Sequence, residues 1–318
     1  MTIAARPAAL ALSAQDWGQL LILSVLWGGT FFFAKIALAG FPPLTLVLGR
    51  VALGALALLA WLWLTGVKVP TSVLVWRAFF GMGLLNNVLP FSLIFWGQAT
   101  MPHEIAASLA SILNATTPVF AVVTAHFLTR DEKLTPPKLL GVLLGFAGVA
   151  VMIAPRLLAS DPQGATANAV TGMLACLTGA LVYGLAGLYG RRFKALGVAP
   201  AQAAFGQLAA SSVMMLPLAL VVDQPWSLPM PDASAWAALV ALACVSTALA
   251  FVLYFRILAH AGATNLMLVT FLIPATAILL GWLFLGERLQ AVHAAGLLLI
   301  GAGLAAIDGR LARLILNK

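Results

Sequence analysis

Ten uncharged or nearly uncharged apolar runs of about 20 residues follow one another along the chain with only short connections between them. A bilayer core ~30 Å thick is crossed by about 20 helical residues. A helix is the form an isolated apolar run takes there, because every backbone N–H and C=O must be bonded within the segment. The runs fall at residues 17–34, 43–64, 78–96, 105–128, 139–154, 170–189, 199–222, 233–255, 263–285 and 291–307. The pattern predicts an all-α polytopic membrane protein with ten transmembrane helices. Of the 318 residues, 63% are hydrophobic and 8% charged. Soluble domains average about 45–50% apolar and ~25% charged, so a water-soluble enzyme and a disordered chain are both excluded.

The seventeen Lys and Arg residues orient the spans. Odd and even connections divide them very unequally. Arg6, Lys68, Arg77, Arg130, Lys133, Lys138, Arg191, Arg192, Lys194, Arg256, Arg310, Arg313 and Lys318 share one side. Lys35, Arg156 and Arg288 lie on the other, and Arg50 lies inside a span. Positive residues collect on the cytoplasmic side, so both termini are expected there, in a bacterial-type inner membrane. The net charge of +8 forms no continuous basic stripe, so no nucleic-acid partner is expected. Residues 1–16 read as a short uncleaved tail rather than a signal peptide. Cys176 and Cys244 sit in apolar runs with no metal or disulfide spacing, which reads as packing.

The chain is internally repeated. Pro118, Glu132, Gly141 and Gly148 in the first half correspond to Pro274, Glu287, Gly296 and Gly303 in the second. Glu to first Gly is nine residues in both halves, and first Gly to second is seven. Pro43 precedes Gly49-Arg50 as Pro200 precedes Gly206-Gln207, and setting Trp76 on Trp236 places Asn86-Asn87 on Ser246-Thr247. The organisation read from this is a cytoplasmic tail (1–16), a first five-helix repeat (17–158), a connecting loop (159–169), a second repeat (170–307) and a cytoplasmic tail (308–318). Five spans per copy is an odd number, so the second copy enters the bilayer inverted. Inverted repeats place a solute site near the midplane between them, a transporter arrangement.

These residues resemble the drug/metabolite transporter superfamily in its ten-span EamA branch. The likeness is carried by Trp27-Gly28-Gly29-Thr30-Phe31, by Arg50 after Pro42-Pro43, and by Asn114-Ala115-Thr116-Thr117-Pro118. Pro274 followed by Leu285-Gly286-Glu287-Arg288-Leu289 completes it. It covers nearly the whole chain. Thr129-Arg130-Asp131-Glu132 departs from the usual Gly-Glu of the family. The resemblance implies carriage of small metabolites, often amino acid export.

Polar residues within spans mark candidate substrate contacts. Asn86, Asn87, Ser246 and Thr247 share one depth in repeat-related spans, where either a solute path or interhelical bonding uses them. Arg50 is costly in lipid and is a functional candidate by default. It fits a substrate carboxylate, or helix-end carbonyls. Ser111 and Asn114 belong to a small and polar stripe with Ala107 and Pro118; Thr247 and Tyr254 belong to the matching stripe with Ala243 and Ala250. Trp27 and Tyr183 are repeat equivalents deep in their spans, suited to stacking on a solute or to packing. The expected cavity is ringed by helices three, four, eight and nine with one and six.

All nine acidic residues (Asp16, Glu104, Asp131, Glu132, Asp161, Asp223, Asp232, Glu287 and Asp308) fall at span ends or in loops. Carriers of lipophilic cations commonly use a buried mid-membrane carboxylate, so a neutral or zwitterionic solute is expected instead. His103-Glu104 is the remaining candidate proton pair. No phosphate-binding Gly-x-x-x-x-Gly-Lys-Ser/Thr loop, zinc-protease helix or Gly-x-Ser-x-Gly turn occurs. The expectation is a monomeric secondary transporter without cofactor, metal or ATPase subunit. Its partners are a small-molecule substrate and the lipid bilayer. Its cargo is hydrophobic or aromatic amino acids, with export of another metabolite or drug, or a membrane-embedded lipid-modifying enzyme, as the alternatives.

Overall fold

The computed structural model describes residues 13–130, 132–157, 165–266 and 268–308. Asp131, the loop with Asp161, Pro162 and Gly164, and most of both tails lie outside the described residues. Within them the regular structure is helical. The first unit comprises α1 (Ala14–Ala37), α2 (Pro43–Leu64), α3 (Val73–Thr100), α4 (Ala106–Leu128) and α5 (Pro136–Leu157). The second comprises α6 (Ala165–Gly190), α7 (Pro200–Asp223), α8 (Ala233–Leu258, with helix continuing to Leu266), α9 (Val269–Leu285) and α10 (Ala291–Asp308). Among the described residues nine of these are long and apolar enough to cross a membrane, and α9 is an apolar helix of 17 residues.

Local chemistry starts and stops the helices where the spans begin and end. Ser13 caps α1 by accepting from the Asp16 N–H, and the Asp16 carboxylate accepts from the Ser13 N–H at 2.9 Å. Pro43 and Pro200 occupy first turns, where a missing N–H costs nothing. Gly286 closes α9 with φ +66°, a left-handed conformation that favours glycine.

Equivalent helices run antiparallel. Thr45, at the start of α2, donates its N–H and hydroxyl to Asp223 at the end of α7, at 2.6 and 2.8 Å. At the opposite ends of the same pair, Gln202 donates to the Lys68 carbonyl at 2.8 Å. Helices α5 and α10 also cross antiparallel, and their repeat glycines explain themselves here. A Cβ at Gly148 would lie 2.7 Å from the Gly296 carbonyl, and one at Gly296 would lie 2.9 Å from the Gly148 carbonyl. Small residues let membrane helices approach this closely.

The remaining packing is also exchanged between units. Helix α1 packs on α9 as α6 packs on α4, and α3 packs on α6 as α8 packs on α1. A Cβ at Gly28 would meet the Ala277 nitrogen at 2.9 Å, and one at Gly184 would meet the Ala121 nitrogen at 2.9 Å. Gly184 follows Gly28 by 156 residues, as Ala277 follows Ala121, so one contact is built twice. The fold is therefore two inverted five-helix units. Helices α5 and α10 lie together outside the other eight, which enclose the site.

Candidate functional site

Helices α3 and α8 each widen into π-helical turns near their middle, over Leu84–Val88 and Ala241–Leu249. In the register that sets Trp76 on Trp236 the first segment falls within the second. A π turn inserts a residue, shifts which side chain faces inward, and recurs at functional sites. Thr247 uses the widened turn directly. Its hydroxyl donates to the Leu242 carbonyl five residues back at 2.8 Å, and accepts from Arg50 Nε at 3.0 Å. On the other side of the pseudo-twofold, Asn86 Nδ2 donates to Gln207 Oε1 at 3.0 Å. Gln207 is the repeat mate of Arg50, so each α2-type helix reaches a polar π turn of the opposite unit.

These groups border a cavity of about 770 Å³, within the range of small-molecule sites. Its wall comes from α1, α2, α3, α4, α6, α7, α8 and α9; α2 and α7 thus join the six helices expected from sequence. Trp27, Arg50, Asn86, Asn114, Tyr183, Ser246, Thr247 and Tyr254 all line it. Asn87 and Ser111 do not. Asn87 is fully buried against α7, donating to Ser211 Oγ at 3.0 Å. Ser111 is fully buried and donates to the Ser108 carbonyl at 2.7 Å. The helical stripe expected through Ser111 and Asn114 ends early because α4 is interrupted at Ala115 and Thr116, before Pro118 restarts it.

The charge at the centre is held by aromatic rings. Arg50 is 5% exposed, with its guanidinium carbon 3.8 Å from the Phe91 ring centroid and 5.6 Å from that of Phe95. Such contact stabilises a desolvated cation by about 2 kcal/mol. Phe91 and Phe95 are stacked at 6.2 Å, and Phe251 and Phe255 are stacked at 6.1 Å in the equivalent place on α8. All four line the cavity, and none was singled out from sequence. The register that aligns Trp76 with Trp236 also aligns Phe91 with Phe251 and Phe95 with Phe255, which was the available signal. Trp27 and Tyr254 form a further ring pair at 5.6 Å. Asn114 Oδ1 and Ser246 Oγ are buried polar atoms on the wall without a hydrogen-bond partner among the described residues.

Among the described residues the cavity wall runs out to one face. Its wall continues past Tyr183 through Gly187, Gly190, Lys194 and Pro200 to the α6–α7 connection, on the face rich in Lys and Arg. The far face is shut. Gln98 donates to the Phe31 carbonyl at 3.0 Å, and Met101 and Ile105 are buried. His103 Nδ1 lies 2.6 Å from Lys35 Nζ, and His103 and Glu104 are both exposed. Glu287 departs most from expectation. It does follow a span end, yet it is 2% exposed. It accepts from the N–H of Ala107 at 2.9 Å, from the N–H of Ser108 at 2.8 Å, and from the Ser108 hydroxyl. A carboxylate fits there because a helix N-terminus offers unpaired N–H groups and positive potential. Among the described residues no group of three His, Cys, Asp or Glu is placed to hold a metal ion.

Comparison with known proteins bears on family and fold. The model of the EamA-like transporter family matches residues 17–154 and 170–307. "Uncharacterized transporter YoaV" of Bacillus subtilis (strain 168) is 25% identical over 283 residues, 89% of this chain and 92% of the relative. "Uncharacterized inner membrane transporter YedA" of Escherichia coli (strain K12) is 26% identical over 281 residues, 87% and 85% of the two chains. "Protein PecM" of Dickeya dadantii (strain 3937) is 25% identical over 281 residues, 87% of each. One crystal structure superposes with a TM-score of 0.62 at 22% identity, over 93% of this chain and 98% of the other, a likeness of fold.

Proposed function

The chain belongs to the EamA-like transporter family, and on that footing we propose that it is a secondary carrier working by alternating access. The observation that carries this reading is one cavity, walled by both inverted units, open on the basic face and closed on the far face. Rocking of one unit against the other would close the first face and open the second around the same residues. The relatives named as transporters support the reading, as does the name of the Escherichia coli relative for an inner-membrane setting. The basic face is then cytoplasmic, with both termini on that side.

The proposed cargo is a small amphipathic metabolite, with hydrophobic or aromatic amino acids foremost, moved outward. Arg50 would take a carboxylate, while Asn114 Oδ1 and Ser246 Oγ would accept from donors on the solute. A buried acceptor left unpaired costs about 1–3 kcal/mol, so a solute that satisfies these atoms recovers that cost. Trp27, Tyr183 and Tyr254 would pack its body, with Asn86 and Thr247 holding the polar centre. Counterflow tests this. Purified protein in liposomes preloaded with unlabelled phenylalanine should accumulate external labelled phenylalanine transiently without ATP. Absence of exchange across a panel of amphipathic metabolites would reject the carrier reading.

A further inference from the structure

Resting on the carrier reading, we infer that within that amphipathic class the cavity ranks solutes by charge, placing aromatic monocarboxylates ahead of the amino acids named above, and that monocarboxylate passage is electrogenic. Among the described residues the cavity lining includes two cations, Arg50 and Lys194, and no Asp or Glu. Arg50 sits at the centre and Lys194 at the open end. Arg192 stands at the same end, its guanidinium 3.5 Å over the Tyr189 ring. A cleft lined by one sign of charge between apolar walls concentrates ions of the opposite sign.

Among the described residues Arg50 has no counter-ion. Glu287 is taken up by the N-terminus of α4 on the far face, and Glu132 pairs with Arg191 at the surface. Among the described residues Arg50 has one hydrogen-bond partner, Thr247, reached through Nε. Both Nη groups are left for a ligand. A guanidinium offers them as a planar fork that matches a carboxylate. An ammonium finds only neutral acceptors in this wall and is repelled by Arg50. The ranking that follows is monocarboxylate first, zwitterion second and cation last. Sequence favoured a neutral or zwitterionic solute because no acid lay at mid-membrane. The unpaired cation moves the preference one charge further.

The same imbalance supplies a driving force. With no acid among the described wall residues to carry a compensating proton, the charge that crosses is the solute's own. Moving one charge through 100 mV corresponds to about a 50-fold concentration ratio. An interior-negative membrane would therefore expel such an anion without proton coupling.

Phenylpyruvate and phenylalanine make a matched pair, differing in a keto group against an ammonium. Protein in liposomes clamped at about 100 mV, interior negative, by a potassium gradient and valinomycin should drive labelled phenylpyruvate outward. The ratio should approach 50-fold. Phenylalanine should distribute independently of potential and compete for phenylpyruvate exchange about ten-fold more weakly. Arg50→Gln should weaken phenylpyruvate binding about 100-fold and Arg50→Lys about ten-fold, the range of charge-assisted paired bonds. Melting curves report whether either variant folds, and the voltage measurement needs no variant. Phenylalanine exchanging better than phenylpyruvate, or phenylpyruvate unmoved by voltage, overturns the inference and leaves the carrier intact. Exchange of neither solute, nor of phenethylamine, overturns both.

Discussion

Ser108 gives Glu287 both its N–H, at 2.8 Å, and its hydroxyl, joining the start of α4 to the turn after α9 across 179 residues. Glu132, the same position in the repeat motif, has a side chain 45% exposed and bonds Arg191 instead. One sequence motif thus does different work on the two faces. On the far face it clamps a helix end; on the basic face, where the cavity is open, it is engaged at the surface.

Removing that clamp should loosen the far face. Glu287→Gln keeps the shape but loses the charge that α4 favours, at a cost of roughly 1–3 kcal/mol. With Cys176 and Cys244 replaced by alanine, a Met101→Cys probe reports opening, since Met101 is 3% exposed. A membrane-impermeant thiol reagent should label it about five-fold faster, or more, in the Glu287→Gln background, as a shift of about 1 kcal/mol implies. Equal labelling rates would show that Glu287 does not hold this face shut.

The α5–α10 contact should tolerate no side chain at its crossing. Gly148→Val or Gly296→Val would put a branched side chain against the opposing carbonyl, within 2.9 Å of a Cβ. Overpacking of this kind costs about 1–3 kcal/mol. Thermal unfolding in detergent should move several degrees lower. Gly301→Val on the same helix, with nothing within 4 Å of its Cβ, should melt like the native protein. Equal melting of all three would mean the close approach is not needed.

The fold was legible because lipid leaves the chain little choice: each span must be apolar and helical, and the repeat motifs survive on both copies. Arg50 was legible as a candidate because a charge inside a span is costly, and it lines the cavity. The stacked phenylalanines were not, since a Phe in a span looks the same whether it faces lipid or a cavity. Which member of a polar pair faces inward was also hidden. The π turns at Leu84–Val88 and Ala241–Leu249 break the 3.6-residue period, so Asn86 reaches the cavity wall while Asn87 turns to α7. The burial of Glu287 depends on the end of a helix 180 residues away and leaves no local trace.

The two phenylalanine stacks should differ in consequence although they are related by the repeat. Phe91 lies 3.8 Å under the Arg50 guanidinium carbon, and among the described residues Phe251 faces no such cation, Gln207 standing in the arginine's place. Phe91→Leu should therefore weaken solute binding about ten-fold more than Phe251→Leu, matching a cation–π contribution of ~1–2 kcal/mol. Titration calorimetry on the purified variants measures this. Equal losses would mean that both rings act only as walls.

Thr247 has two bonds, one to Arg50 Nε and one to the Leu242 carbonyl, and Thr247→Val removes both without changing side-chain size. The expected result is a flux loss of about ten-fold or more, since Arg50 is left without its protein hydrogen-bond partner at a cost of about 1–3 kcal/mol. Asn86→Leu should cut flux by a similar factor through the loss of its bond to Gln207. The two sites belong to opposite units, so their interaction separates two pictures of the midplane. If Arg50 and Gln207 hold one shared polar centre, the double variant loses less than the product of the single losses, a coupling of about 0.5 kcal/mol or more. Independent losses that multiply would assign the two bonds to separate supports of the cavity wall. Unchanged flux in both single variants, with native melting, would remove Asn86 and Thr247 from the site.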